Sequence, residues 1–510
     1  MDKVLILDFG SQYTQLIARR VRELKVYCEM WPCHSSLTKI KEFGAKAIIL
    51  SGGPASVLAK GSPKLDKSIL ELGIPILGIC YGMQLMTKML GGKVVRSQNR
   101  EYGHASINIK NRISILKGLK TKASVWMSHG DSIKKLAPGF KLLAATSKKV
   151  PAAIYHAKRN IAALQFHPEV HHTPDGLKIL KNFLFGMANV KASWSMRNYI
   201  NYQCEQIQQQ VGKDHVILGL SGGVDSSVAA ALIHKAIGKQ LTCIFINNGL
   251  LRFEEAKYVK KMFGQHFKIK LRYVDASKLF LDGLKGVKDP EKKRKIIGRL
   301  FIKVFTQEAK KIKNAKYLAQ GTLYPDVIES VSFKGPSVVI KSHHNVGGLP
   351  KRMGLKLVEP LRELFKDEVR ELGCQLKMPK EMIYRHPFPG PGLGVRVIGV
   401  VSPDKVKLLQ LADHIAMQVI KETGWYDKIW QALVALLPIQ SVGVMGDERT
   451  YEYTAVFRAV TSVDGMTADW VDIPHEVLSK ISNRIINEVR GINRVLYDIS
   501  SKPPATIELE

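Results

Sequence analysis

At two places the chain runs through a short apolar stretch, breaks at glycines and restarts at once as a helix-forming run. The first is residues 74–82, IPILGICYG, leading into MQLMTKML. The second is residues 216–232, VILGLSGGVDSSVAAAL. A buried strand that turns directly into a helix is the unit of a doubly wound sheet. Other apolar runs at 4–7, 47–50, 161–165, 242–247, 271–274 and 317–320 alternate with helix-forming stretches such as 19–24 and 83–90. At 510 residues the chain exceeds one hydrophobic core, and two to four domains are expected.

The pattern divides into three. Residues 1–188 and 193–385 each read as a doubly wound, mainly parallel α/β domain, joined by a polar, helix-prone stretch at 193–210. The second ends near HPFPGPGLGVR, residues 386–396. Its prolines and glycines exclude a continuous helix or central strand. Residues 386–510 read as a small α+β domain. Its expected elements are a strand from Val395, a helix over 404–423, a strand over 453–460, a helix over 475–489 and a short final strand.

Composition narrows the function classes. No apolar run reaches the roughly 18 residues needed to span a membrane, and the amino-terminal stretch lacks a secretory pattern. Six cysteines with no Cys-x-x-Cys pair fit free thiols in a reducing cytoplasm. The net charge of +33 raises nucleic acid as a partner, but the lysines are spread along the chain, and only 291–295 forms a marked cluster. Anionic small substrates account for the charge as well, and a nucleic-acid partner is not expected.

Cys80 occupies the centre of G-x-C-x-G between a strand and a helix, the elbow that presents a nucleophile at a helix amino terminus. The N–H of Tyr81 points toward a substrate oxyanion there. Gly52 and Gly53 bring a second bare backbone close. A thiol nucleophile needs a base and a group to orient it. His167 and Glu169, two apart at a strand end, share a face and supply both. This set resembles the class I glutamine amidotransferases. The resemblance implies thioester chemistry that releases ammonia from glutamine, with Gln84 helping to hold the substrate and further contacts from residues 128–131.

The second turn, SGGVDSS, lacks the lysine of the commoner G-x-x-x-x-G-K-[ST] phosphate loop. Backbone N–H groups at Gly222, Gly223 and Val224, with the hydroxyls of Ser221, Ser226 and Ser227, still make an anion nest. Asp225 would repel polyphosphate unless Mg²⁺ lay between them, so the loop suggests metal-bridged pyrophosphate with Asp225 as the protein's metal ligand. It resembles the ATP pyrophosphatases, which transfer AMP to an oxygen and then displace it. Asp326 and Glu329 add carboxylates that could bind metal or orient nucleotide. Lys341, His343 and His344 read as a cationic lid, and Arg385, His386 and Arg396 stand in the Pro/Gly segment.

Over its whole length the chain resembles the glutamine-hydrolysing GMP synthetase family. The Cys80 elbow, SGGVDSS, DVIES, KSHHNVGG, HPFPGPGLGVR, VGVMGDERTYEY and SKPPATIE carry the resemblance. It implies glutamine, ATP and XMP as substrates, Mg²⁺ with ATP and no organic prosthetic group, and a homodimer formed through the third domain. It further implies XMP contacts at Arg299, Gln440, Lys502 and Glu508. Two departures are visible: Leu509 stands where the family carries Trp, and a second histidine follows His171. The loop by itself would equally suit a tRNA thiolase, which needs neither a glutaminase nor these neighbours.

Overall fold

The structure is a computed structural model and describes residues 1–331, 354–445, 448–462 and 467–510. They form two compact units, one of Met1–Tyr199 with residues 328–331 and one of Ile200–Val327 with the described chain from 354 to Glu510.

The first unit is built on β1 (Lys3–Asp8), β2 (Tyr27–Pro32), β3 (Ala47–Leu50), β4 (Ile76–Ile79), β5 (Lys93–Ile109), β6 (Lys122–Lys135), β7 (Lys141–Thr146), β8 (Pro151–His156) and β9 (Ile161–Leu164). They form one sheet in the order β2-β1-β3-β4-β9-β8-β7-β5-β6. Strands β2 to β9 on one side pair in parallel, and β9 to β6 on the other pair antiparallel. Every residue of β3, β4 and β9 is buried, as expected of strands covered on both faces. The antiparallel half was not anticipated from the sequence. Strand β5 slips register between Arg96 and Glu101, and β6, which does alternate buried with more exposed residues, sets the polar His129 and Asp131 at buried positions, so no apolar alternation marks its whole length.

The second unit holds β10 (His215–Gly219), β11 (Leu241–Asn247), β12 (Lys270–Asp275), β13 (Ala315–Ala319) and β14 (Lys356–Val358). They form an all-parallel sheet in the order β12-β11-β10-β13-β14. A second sheet joins β15 (Gln431–Met445), β16 (Glu448–Thr461), β17 (Asp469–Trp470) and β18 (Ile492–Tyr497) around β16. One hydrophobic core runs from Ile217 on β10 through Leu300 on the helix Pro290–Lys310 to Leu409 and Phe457. The parallel sheet and the terminal sheet therefore share an interior.

One local expectation in this unit differs from the structure. No strand starts at Val395: residues 392–395 form a tight 3-10 turn, and Val397 makes a single bridge to Leu436. The partner strand is β15, whose pattern is interrupted by Pro438 and a register shift between Leu436 and Gln440. The carboxyl end forms no strand beyond a single bridge at Lys502. It is pinned by charge. Lys293, fully buried, bonds Glu510 and donates to the Val397 carbonyl at 2.8 Å. Arg396, also fully buried, forks onto Glu508 with two bonds of 2.9 Å. Arg458 donates to the carbonyls of Thr506 and Ile507. Burying such cations is tolerable only because each is met by an acceptor.

Candidate functional site

Cys80 sits where β4 passes into the helix Tyr81–Met89, with φ 50° and ψ −102°, a conformation side chains rarely adopt. Its neighbours explain how the elbow closes. A Cβ on Gly82 would lie 2.6 Å from the Leu50 carbonyl oxygen, and one on Gly78 would strike Met86 at 2.3 Å. Only glycine lets this helix approach the sheet so closely. The Cys80 N–H donates to the Leu164 carbonyl at 2.7 Å, fixing the turn beside the end of β9.

Strand β9 stops at Leu164, so His167 and Glu169 do not share a strand face as expected; they lie beyond it, Glu169 in a turn. His167 Nδ1 lies 2.7 Å from Glu169 Oε1, and both residues are almost wholly buried. The remaining ring nitrogen is the one left to bond Cys80. Burial would lower the His167 pKa, but the Glu169 carboxylate and the bond to Cys80 outweigh it and hold the ring well above its ordinary value. The imidazolium is thus favoured beside the sulfur. Tyr13 packs edge-on against the ring at 5.0 Å.

Gly52 borders the same place, since a Cβ there would lie 3.0 Å from His167 Cε1, and one on Gly53 would strike the Phe9 carbonyl. The Tyr81 hydroxyl donates to the Pro63 carbonyl, so its ring is structural while its N–H starts the helix. The Gln84 side chain donates to the Asp131 carbonyl at 3.1 Å and to Gln165 Oε1 at 3.3 Å. Gln165 in turn points its amide nitrogen at Cys80 Sγ, 3.8 Å away. Gln165 was not singled out from the sequence, although it opens the QFHPEV stretch that carries the histidine.

In the second unit β10 ends at the glycine loop, and the helix Val224–Ile237 begins there with Gly223 as its cap. The loop is laced by its own hydroxyls. Ser221 Oγ and Ser226 Oγ lie 2.9 Å apart, and the Gly223 N–H donates to Ser221 Oγ at 3.2 Å. Ser227 is fully buried and donates to the Gly223 carbonyl, so it closes the helix start rather than facing solvent. Val224 is also buried. Asp225 receives Lys366 Nζ on both oxygens, at 2.7 and 2.6 Å. A lysine thus reaches the loop from the first turn of the helix Lys366–Gln375. It lies 141 residues downstream in an ordinary helix start, so no local motif marks it.

Among the described residues no three His, Cys, Asp or Glu side chains converge as a metal site. Magnesium carried on ATP needs no such cage, because phosphate oxygens and water supply most of its ligands. One carboxylate at the loop, Asp225, fits that donor set once Lys366 releases it. Asp326 lies in the first turn of the helix Tyr324–Val331, its carboxylate accepting from the Leu323 N–H. The Glu329 side chain and residues Lys341, His343 and His344 lie outside the described residues.

The remaining candidates are dispersed through the second unit. Arg299 is exposed on the helix Pro290–Lys310, and Gln440 is exposed on β15. Lys502 is bridged to Ala468. The Glu508 carboxylate is committed to Arg396 and to Gln431 Nε2, the latter at 2.7 Å. That leaves Glu508 a rigid acceptor.

Known families match three stretches of the chain. Residues 5–187 match the class I glutamine amidotransferase model, 197–287 the NAD synthase model and 418–509 the GMP synthase C-terminal domain model. The chain is 62% identical over 510 residues to a glutamine-hydrolysing GMP synthase of Brachyspira hyodysenteriae, covering 100% of this chain and 99% of that one. It is 57% identical over 508 residues to the enzyme of that name from Fusobacterium nucleatum, covering 99% of each. It is 56% identical over 511 residues to one from Maridesulfovibrio salexigens, covering 100% and 99%. With an elbow cysteine in one unit, a glycine loop in the other and relatives alike from end to end, the chain belongs to the glutamine-hydrolysing GMP synthase family.

Proposed function

We propose that this chain makes GMP from XMP, taking nitrogen from glutamine and cleaving ATP to AMP and pyrophosphate. The observation that carries the reading is the presence in one chain of a buried Cys80–His167–Glu169 arrangement and a SGGVDSS loop opening a helix. The first suits amide hydrolysis, and the second suits polyphosphate.

Residues 1–188 act as the glutaminase. Cys80 attacks the glutamine amide carbon, His167 delivers the proton to the leaving ammonia, and Glu169 keeps the ring charged and aligned. The Tyr81 N–H and the Gly52–Gly53 backbone stabilise the oxyanion, and Gln84 and Gln165 frame the substrate. Residues 193–385 adenylate XMP. Backbone donors at residues 221–224 and the Ser226 hydroxyl receive the phosphates, with Lys366 the nearby cation. Asp225 would hold Mg²⁺, which neutralises phosphate charge when bound. Asp326, Glu329 and the lid cations Lys341, His343 and His344 complete the site around the nucleotide.

Residues 386–510 hold XMP through Gln440, Lys502 and Glu508, with Arg299 from the preceding part. They also join two copies of the chain. The exposed Ile439, Val442, Val444 and Tyr451 on β15 and β16 support this, because such a row is costly to leave in water. A reducing cytoplasm suits the six free cysteines. The test is incubation with ATP, XMP and glutamine while following GMP, AMP and pyrophosphate. Formation of GMP with AMP is expected, and release of ADP instead would overturn the reading.

A further inference from the structure

Arg385 stands beside the glycine loop yet directs both arms of its guanidinium into the protein. Nη1 donates to the Gly222 carbonyl at 2.8 Å, and Nη2 donates to Glu255 Oε1 at 2.8 Å. Glu255 is almost wholly buried, so its charge is answered by this arginine. The pair also shapes the glycine. Gly222 has φ +77°, and a Cβ there would lie 3.0 Å from Glu255 Oε1.

A trans peptide is planar, with its C=O and N–H pointing in opposite directions. Drawing the Gly222 carbonyl toward Arg385 therefore turns the Gly223 N–H the other way, toward the Ser221 hydroxyl and the mouth of the nest. Arg385 is itself held at its next residue. The His386 ring stacks on Tyr426 at 4.0 Å, its backbone N–H donates to the Tyr426 hydroxyl, and its ring nitrogens bond the Tyr426 carbonyl and the Ala432 N–H.

We propose that Arg385, locked by Glu255, is a positioning residue for the phosphate-binding loop: it orients the Gly222–Gly223 peptide so that its N–H serves the nucleotide's phosphates, without touching them itself. The inference rests on the adenylating role given to this loop. It explains why a cation so near a phosphate site spends its charge on a buried carboxylate. Left unpaired, it would compete with Lys366 for the same anion.

The test compares Arg385→Lys, Glu255→Gln and the double variant with the parent protein. Ammonia is the nitrogen source, so the glutaminase is bypassed. Arg385→Lys keeps the charge but cannot fork. We expect the KM for ATP to rise about tenfold, in line with one charge-assisted bond lost. Expected alongside are a kcat within about twofold and an unchanged rate of glutamate release from glutamine. Magnesium pyrophosphate binding, followed by calorimetry, should weaken by a similar factor. The double variant should cost no more than the larger single one, because the two side chains act as a unit. A KM for ATP and a pyrophosphate affinity that stay within twofold would overturn the proposal. So would a loss confined to kcat with unchanged KM, since that reports less active protein and not a misaligned loop. If the parent protein forms no AMP, the adenylating reading fails first, and the pyrophosphate titration still decides whether Arg385 orients the loop.

Discussion

The cysteine elbow and the glycine loop hold their reactive groups in opposite ways. At the elbow, Cys80, His167 and Glu169 are each at most 4% exposed, and His167 bonds Glu169 at 2.7 Å. At the loop the side chains are small hydroxyls bonded to one another, and the principal charges, Asp225 and Lys366, have side chains 32% and 44% exposed. The contrast follows from the chemistry. A thiol that forms a covalent bond must be placed before substrate arrives. A polyphosphate brings its own charge and metal, and can be received by many weak donors. The elbow therefore concentrates its effect in single side chains, whereas the loop spreads it.

Substitutions can break that contrast. The largest effect is expected for Cys80→Ala. Glutamine-driven GMP formation should fall at least about 10³-fold, while synthesis from ammonium chloride stays within about twofold. Loss of both would show that the two regions do not act separately. Next, Lys366→Ala should lower ammonia-driven AMP release about 10²-fold and leave glutamate release untouched. A smaller loss would mean that the backbone nest suffices alone. Glu169→Gln should slow glutamate release about tenfold. It also removes the main support of the raised His167 pKa, so the imidazolium is lost at lower pH. The alkaline limb of the pH–rate profile should shift downward.

A further prediction concerns stability. His386 is buried, which pushes its pKa down to about 4. The neutral ring is the folded form, so the unfolded chain takes up the proton first as pH falls. Stability is full above about pH 6.5 and drains away toward pH 4. About 2 kcal/mol should be lost between pH 7 and pH 5, read from urea midpoints, and His386→Gln should flatten that slope. The smallest effect is expected for Leu509→Trp, which restores the aromatic ring usual in the family. The half-exposed site should keep stability within about 0.5 kcal/mol, and the KM for XMP within about twofold.

The same contrast decides what the amino-acid sequence reveals. Strands β3, β4 and β11 are short buried runs, and their positions follow from composition alone. The elbow is legible because its chemistry lies in named side chains held by glycines at fixed spacing. His167 and Glu169 meet because they are two residues apart on one chain segment. Lys366 and Glu255 are not legible, and Arg385, visible in its Pro/Gly segment, shows no partner there, because charge pairs spanning 130 or more residues leave no periodic trace. Gln165 was in view but silent, since an amide beside a histidine motif has no chemistry until its partner sulfur is placed. Strand β15 was hidden by a proline and a slipped register, β5 by its register shift, and β6 by the polar His129 and Asp131 at buried positions.

The charged seating of residues 506–510 has a consequence in time. Lys293 leaves the ribosome 217 residues before Glu510, the carboxylate that answers it, and Arg396 leaves 112 residues before Glu508. At synthesis rates of about 5–20 residues per second, Lys293 waits roughly ten to forty seconds for its partner. Throughout that interval an ammonium destined for the interior has no counter-charge. The core it enters should stay wet and loose there, closing only when residues 506–510 emerge. The second unit is thereby made to finish late, and its half-built form should be the one that proteases find.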